Sequence, residues 1–144
     1  MGISLEKFVK EEMIFVDSNA FIAIRNLNHP LHQPAIRISS HLVNENGYLI
    51  TTNIVIAEVF TVLSMRVNKM VAVQFGKDLE KQEMPIVFID EFYHRKAWEI
   101  FQKIKDKNVS FFDCTSFAVM EDLGIHKAFS FDKEFKKYGF EIFT

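Results

Sequence analysis

Four carboxylates fall where carboxylates are costly. Asp17 is the only charged residue in 13–24, Glu58 the only one in 46–65 and Asp113 the only one in 108–120. A lone carboxylate in an apolar segment carries a desolvation penalty unless it is paired or binds a cation. None of these three segments holds a Lys or Arg of its own. Asp132 ends another apolar run and is less isolated, because Lys133 and Glu134 follow it. Each acid alone has an ordinary explanation, as a helix cap or as a Glu facing solvent. Three in one short chain are harder to explain that way. Oxygen-only donors suit hard cations, Mg2+ or Mn2+, and a cation held by carboxylates activates water and neutralises phosphoryl charge. Hydrolysis of a phosphodiester is the chemistry this set predicts.

Other groups carry weaker signals. His29 and His32 flank Pro30 in a loop, and His41, His94 and His126 are scattered without zinc spacing. Cys114, the single cysteine, follows Asp113 and reads as a packed small hydrophobe. No Gly-rich phosphate loop or nucleophile-elbow serine occurs. Lys103, Lys105 and Lys107, and then Lys133, Lys136 and Lys137, flank two of the acids. They suit an RNA backbone, although solvated helix faces are the commoner use of such lysines.

Alternation of short apolar runs with longer amphipathic ones predicts the elements that position the acids. Strands are expected at 13–16, 48–51, 86–89, 128–131 and 140–143. Ser18 or Asn19 is expected to cap a short helix through Ile24, and Pro34 to open a helix ending near Asn46-Gly47. Further helices are expected from Asn53 to about Met65, from Asn68 to about Met84, over 91–105, and from Asp113 to Gly124. Strands alternating with helices argue for a three-layer α/β/α domain with a mostly parallel sheet of about five strands. Active sites in such sheets lie beyond the carboxyl ends of the strands, where Asp17 and Asp132 fall.

Composition fits this reading without sharpening it. The 144 residues suit one domain, with 49% hydrophobic and 25% charged residues and an aromatic-rich core from 16 Phe. The net charge of −2 becomes +2 once the four acids are set aside, so charge neither supports nor opposes a nucleic-acid partner. A single cysteine excludes an intrachain disulfide, and neither a signal peptide nor a membrane span is apparent. A cytoplasmic location with no membrane partner is the expectation.

The motifs resemble those of the PIN-domain nucleases. Val16-Asp17-Ser18-Asn19-Ala20, then Thr52-Asn53 leading to Ala57-Glu58-Val59, are similar to the family's opening motifs. Ser110-Phe111-Phe112-Asp113-Cys114-Thr115-Ser116 with Met120 and Gly124-Ile125 resembles the third, and Phe129 to Phe135 with Gly139-Phe140 the last. The match spans 13–144. The resemblance implies an Mg2+- or Mn2+-dependent endoribonuclease in which Asp17, Glu58, Asp113 and Asp132 hold metal. Ser18, Ser110 and Ser130 would be polar groups supporting them. It also implies a VapC-type toxin, homodimeric and inhibited by an antitoxin protein. Ile36, Ile38, Leu42, Met65, Val67, Met70, Val73 and Phe75 are the apolar residues open to two readings, a shared face between copies or packing on the sheet. A processing nuclease without an antitoxin, and a non-catalytic binding domain, are the alternatives. A phosphatase using paired aspartates is excluded, since Asn19 stands where the second aspartate would be needed. Residues 1–12 form an extension ahead of the first strand, and Met13 is an alternative start.

Overall fold

The computed structural model describes residues 13–143. The extension expected over 1–12 lies outside them. β1 (Met13–Val16) is buried at every position and forms the centre of a five-stranded sheet of order β3-β2-β1-β4-β5. Its neighbours are β2 (Tyr48–Thr52) and β4 (Lys127–Phe129), with β3 (Ile86–Val87) and β5 (Glu141–Ile142) at the edges. All four pairings are parallel. Because no strand pairs antiparallel, every crossover carries a helix, and the inner strand reads as a continuous apolar run.

The helices are α1 (Ser18–Arg25), α2 (His32–Asn44), α3 (Asn53–Arg66), α4 (Lys69–Lys81), α5 (Glu91–Lys103), α6 (Phe111–Leu123) and α7 (Lys133–Tyr138). α1 packs on α2 and α3, α3 on α4, and α5 on α6. The expected phenylalanine core is present. Phe117 of α6 meets Phe135 edge-on at 5.0 Å and stacks on Tyr138 at 4.4 Å. Gly124 closes α6 in the left-handed conformation (φ 67), which a side chain disfavours. Among the described residues no helix is long and apolar enough to cross a membrane.

Several boundaries differ from expectation. α6 starts at Phe111 rather than at Asp113, because Ser110 caps it: the Ser110 hydroxyl accepts from the Asp113 amide at 3.0 Å, and the Asp113 carboxylate accepts from the Ser110 amide at 3.1 Å. α1 is preceded by Asp17, not by Ser18 or Asn19, and the Asp17 side chain makes no capping bond. Thr52 rather than Asn53 caps α3, its hydroxyl accepting from the Val55 amide. Asn53 instead accepts from the Ile89 amide at 2.7 Å, which fixes the chain leaving β3. α2 begins at His32, two residues before Pro34, since a proline is tolerated within the first helical turn. β3, β4 and β5 are shorter than expected: their ends turn away to feed helices or leave the sheet edge.

Candidate functional site

Asp17 is the residue after β1 and is 6% exposed. Its amide donates to the Phe129 carbonyl at the end of β4, at 3.1 Å, so the two central strands end together. Asp132 follows β4 by three residues and caps α7, accepting from the Glu134 amide at 2.9 Å. Glu58 lies in the second turn of α3, which leaves β2 at the same end of the sheet, and is half-buried. Asp113 is the third residue of α6 and is also half-buried. The capping geometry of the Thr52 and Ser110 side chains sets where these two helices begin, and hence where the two acids project.

A polar network ties the β1 and β4 ends together. The Ser130 hydroxyl donates to Asp17 Oδ2 at 2.9 Å and accepts from the Asp132 amide at 3.0 Å. The Asn19 amide group donates to the same Asp17 oxygen and to Ser130 Oγ, each at 3.1 Å, and its oxygen accepts from the Phe131 amide at 2.9 Å. The Ser18 backbone amide donates to the Asp17 carboxylate as well. Of the three serines singled out from sequence, Ser130 and Ser110 use their hydroxyls, and Ser18, itself buried, serves Asp17 through its backbone.

Electrostatics link all four acids. Burial, foremost, pushes the Asp17 carboxyl up to about 7 against the lowering of its hydrogen bonds from Ser18 and Ser130, with Asp113 and Glu58 adding to the rise. Asp113 is pushed up to about 6, again first by burial, with Asp132 and Glu58 contributing and the Ser110 hydrogen bonds opposing. Each acid therefore acts on at least one other, so the four lie within electrostatic range at one end of the sheet. Among the described residues none of the four joins an ion pair with Lys, Arg or His. Nor, among the described residues, does any group of three His, Cys, Asp or Glu stand ready to enclose a metal ion. Like charges without a counterion hold one another apart. Four hard oxygen donors, repelling one another and without a cationic partner among the described residues, fit a divalent ion.

Asn19, which the sequence offers as a helix cap and as part of the Val16–Ala20 motif, has an orienting role that sequence reading missed. Its bonds reach Ser130, 111 positions away, a contact that local spacing does not reveal. The spacing Asp17-x-Asn19 beside a strand end was the available signal. Asn19→Ala removes three hydrogen bonds around Asp17 and Ser130 and is expected to weaken Mg2+ binding at these acids about 10- to 100-fold. A Mg2+ titration of the purified variant checks this, and an affinity within twofold of wild type would remove Asn19 from the site.

The groups outside this cluster take other places. Cys114 is buried in α6 as a packed residue, as expected. His29 and His32 serve the turn before α2: the His29 ring accepts from the Leu31 amide, and His32 Nδ1 lies 2.8 Å from the Ala23 carbonyl. Of the apolar residues open to a shared face or to packing on the sheet, Ile38, Leu42 and Phe75 are core, whereas Ile36, Met65, Met70 and Val73 are exposed.

A family model described as PIN domain matches residues 14–141. The chain is 30% identical over 128 residues to the 23S rRNA-specific endonuclease VapC20 of two Mycobacterium tuberculosis strains, CDC 1551 / Oshkosh and H37Rv. The alignment covers 89% of this chain and 95% of the relative. The crystal structure of M. tuberculosis VapC20, described as a sarcin-ricin loop cleaving toxin, superposes with a TM-score of 0.80 at 29% identity. That superposition covers 88% of this chain and 95% of that one. The all-parallel sheet flanked by helices is the three-layer α/β/α architecture expected from sequence, and the chain belongs to the PIN-domain family.

Proposed function

We propose that this chain is a divalent-metal-dependent endoribonuclease, the toxin of a toxin–antitoxin pair, with Asp17, Glu58, Asp113 and Asp132 as its catalytic and metal-holding residues. The observation that carries the reading is the placement of Asp17, buried at the end of the central strand, and of Asp113 in the first turn of α6 among further acids, with no ion pair to offset them among the described residues. The likeness to a relative named as an rRNA endonuclease, over nearly the whole of both chains, supports the same reaction class.

Mg2+ or Mn2+ held there supplies charge neutralisation to the scissile phosphodiester and makes the attacking water more acidic. The chain's own residues do the positioning. Ser130 and Asn19 fix which Asp17 oxygen faces the β4 end, since Oδ2 accepts from both. Ser130 also holds the Asp132 backbone, so the two acids at the central strand ends keep their spacing. The Ser110 cap fixes Asp113 in the first turn of α6. Unpaired or looped RNA is the substrate, because a backbone-cutting site must reach a splayed phosphodiester and single strands expose it most easily.

Three further assignments rest on the sequence and the family rather than on geometry. The partners are an antitoxin protein and a second copy of the chain. The setting is the cytoplasm, without a membrane. The nuclease domain is 13–144, with 1–12 as an extension. The experiment is cleavage of a single-stranded RNA by purified protein in Mg2+ and then in EDTA. Activity is expected in the first and none in the second. Equal cutting in EDTA would overturn the metal-dependent reading.

A further inference from the structure

Beyond residue 85 every exposed large hydrophobic among the described residues is aromatic: Phe88, Phe92, Trp98, Phe101 and Phe112. Elsewhere the exposed apolar side chains are mostly aliphatic, Met65, Met70 and Val73 among them. The aromatic residues of α5 pack on the first turn of α6, the turn that carries Asp113. Trp98 and Phe101 on α5 stack at 6.2 Å with 28° between their planes. Phe101 and His94 both pack on Phe111, the first residue of α6, at 5.7 and 5.3 Å. Phe112 follows, 56% exposed, and the next residue is Asp113. The loop from α5 to α6 carries Lys105 and Lys107, both exposed, after Lys103 at the end of α5.

We propose that Trp98, Phe101 and Phe112 form a platform on which unpaired bases of an RNA strand stack, leading its backbone to Asp113. The inference rests on the RNA-cleaving reading above and names where that substrate is held. Flat rings offer a π-face to any base, and such stacking tolerates sequence. Lys105 and Lys107, exposed in the loop that joins the two helices, suit the phosphates between stacked bases. An aromatic surface lacking exposed aliphatic side chains favours stacking over the mixed packing of a protein partner, which the Met65, Met70 and Val73 surface fits better.

Trp98 is the only tryptophan in the chain, so its fluorescence reports the platform directly. The probes are an eight-nucleotide uridine oligomer and a matched abasic ribose-phosphate oligomer, in EDTA at low salt so that binding is read without cutting. The uridine oligomer is expected to quench Trp98 emission, and the abasic oligomer to leave it unchanged. Phe101→Ala and Phe112→Ala are each expected to weaken binding about tenfold, and Phe112→Tyr to restore it to within about twofold. Equal quenching by the two oligomers, no quenching by either, or unchanged affinity in both alanine variants would overturn the platform. So would a halved mass in light scattering on either substitution, which would assign the surface to a second copy of the chain. Binding with the expected pattern but no cleavage in Mg2+ would count against the proposed function and leave the platform standing.

Discussion

Asp17→Asn is expected to abolish RNA cleavage while making the metal-free protein more stable. Asp17 is buried, its carboxyl is raised from 3.8 to about 7, and it has no cationic partner among the described residues. A carboxyl raised that far destabilises the folded state at neutral pH by about 4 kcal/mol relative to its protonated form. Asn keeps an oxygen that can accept from Ser130 and Asn19 and carries no charge. Allowing for an imperfect exchange, a gain of ~2 kcal/mol in the metal-free protein is expected, half of that figure. No capping bond is lost, since the Asp17 side chain makes none. Mg2+ at a hundredfold excess over its Kd stabilises wild type by about 3 kcal/mol, and the variant far less. Urea melts with and without Mg2+, beside a cleavage assay, measure both effects. An active variant with the wild-type response to Mg2+ contradicts the assignment.

Mg2+ affinity is expected to fall steeply as pH drops below 7. Both raised carboxyls must lose their protons to take up a cation, Asp17 at about 7 and Asp113 at about 6. Affinity should weaken up to tenfold per pH unit between 7 and 6, and up to a hundredfold per unit below 6. Metal-free stability runs the other way. The unfolded chain ionises these acids near 4, before the folded protein does, so their contribution is fully present below pH 4. It is lost as pH rises through about 6 and 7. The difference in unfolding free energy between wild type and Asp17→Asn isolates the share of Asp17 together with its coupling to Asp113 and Glu58. It should widen from pH 4 to 7.5. A constant difference would show that Asp17 ionises normally in the folded state.

How much of this was readable beforehand depended on whether the cause was local. The central strand was legible at 13–16 because a run buried on both faces shows no polar alternation. Asp17, Glu58 and Asp113 stood out because a lone charge in an apolar segment is visible wherever the chain folds, whereas Asp132, followed by Lys133 and Glu134, drew on its strand end and the motif resemblance. Helix starts were less so. The pair Phe111-Phe112 read as an apolar run, which hid the Ser110-x-x-Asp113 capping pattern. At Thr52-Asn53 two good caps are adjacent, and only the chain leaving β3, which takes the Asn53 oxygen for the Ile89 amide, decides between them. Asn19 was illegible as an orienting group because its partners come from β4, more than a hundred residues on. The apolar residues open to both readings divided into core and surface for a related reason: Ile38, Leu42 and Phe75 share helices with exposed Ile36 and Val73, and periodicity locates an apolar stripe without saying what covers it.

The convergence of the four acids on one divalent ion is tested most directly by crystals of the protein grown or soaked with Mn2+ and measured at the manganese edge. The expected result is an anomalous peak at direct ligand distance from the carboxylates of Asp17 and Asp113, with Glu58 and Asp132 around it, and no such peak in Asp17→Asn crystals. A peak bound elsewhere on the molecule, or none at these acids at saturating Mn2+, would contradict it.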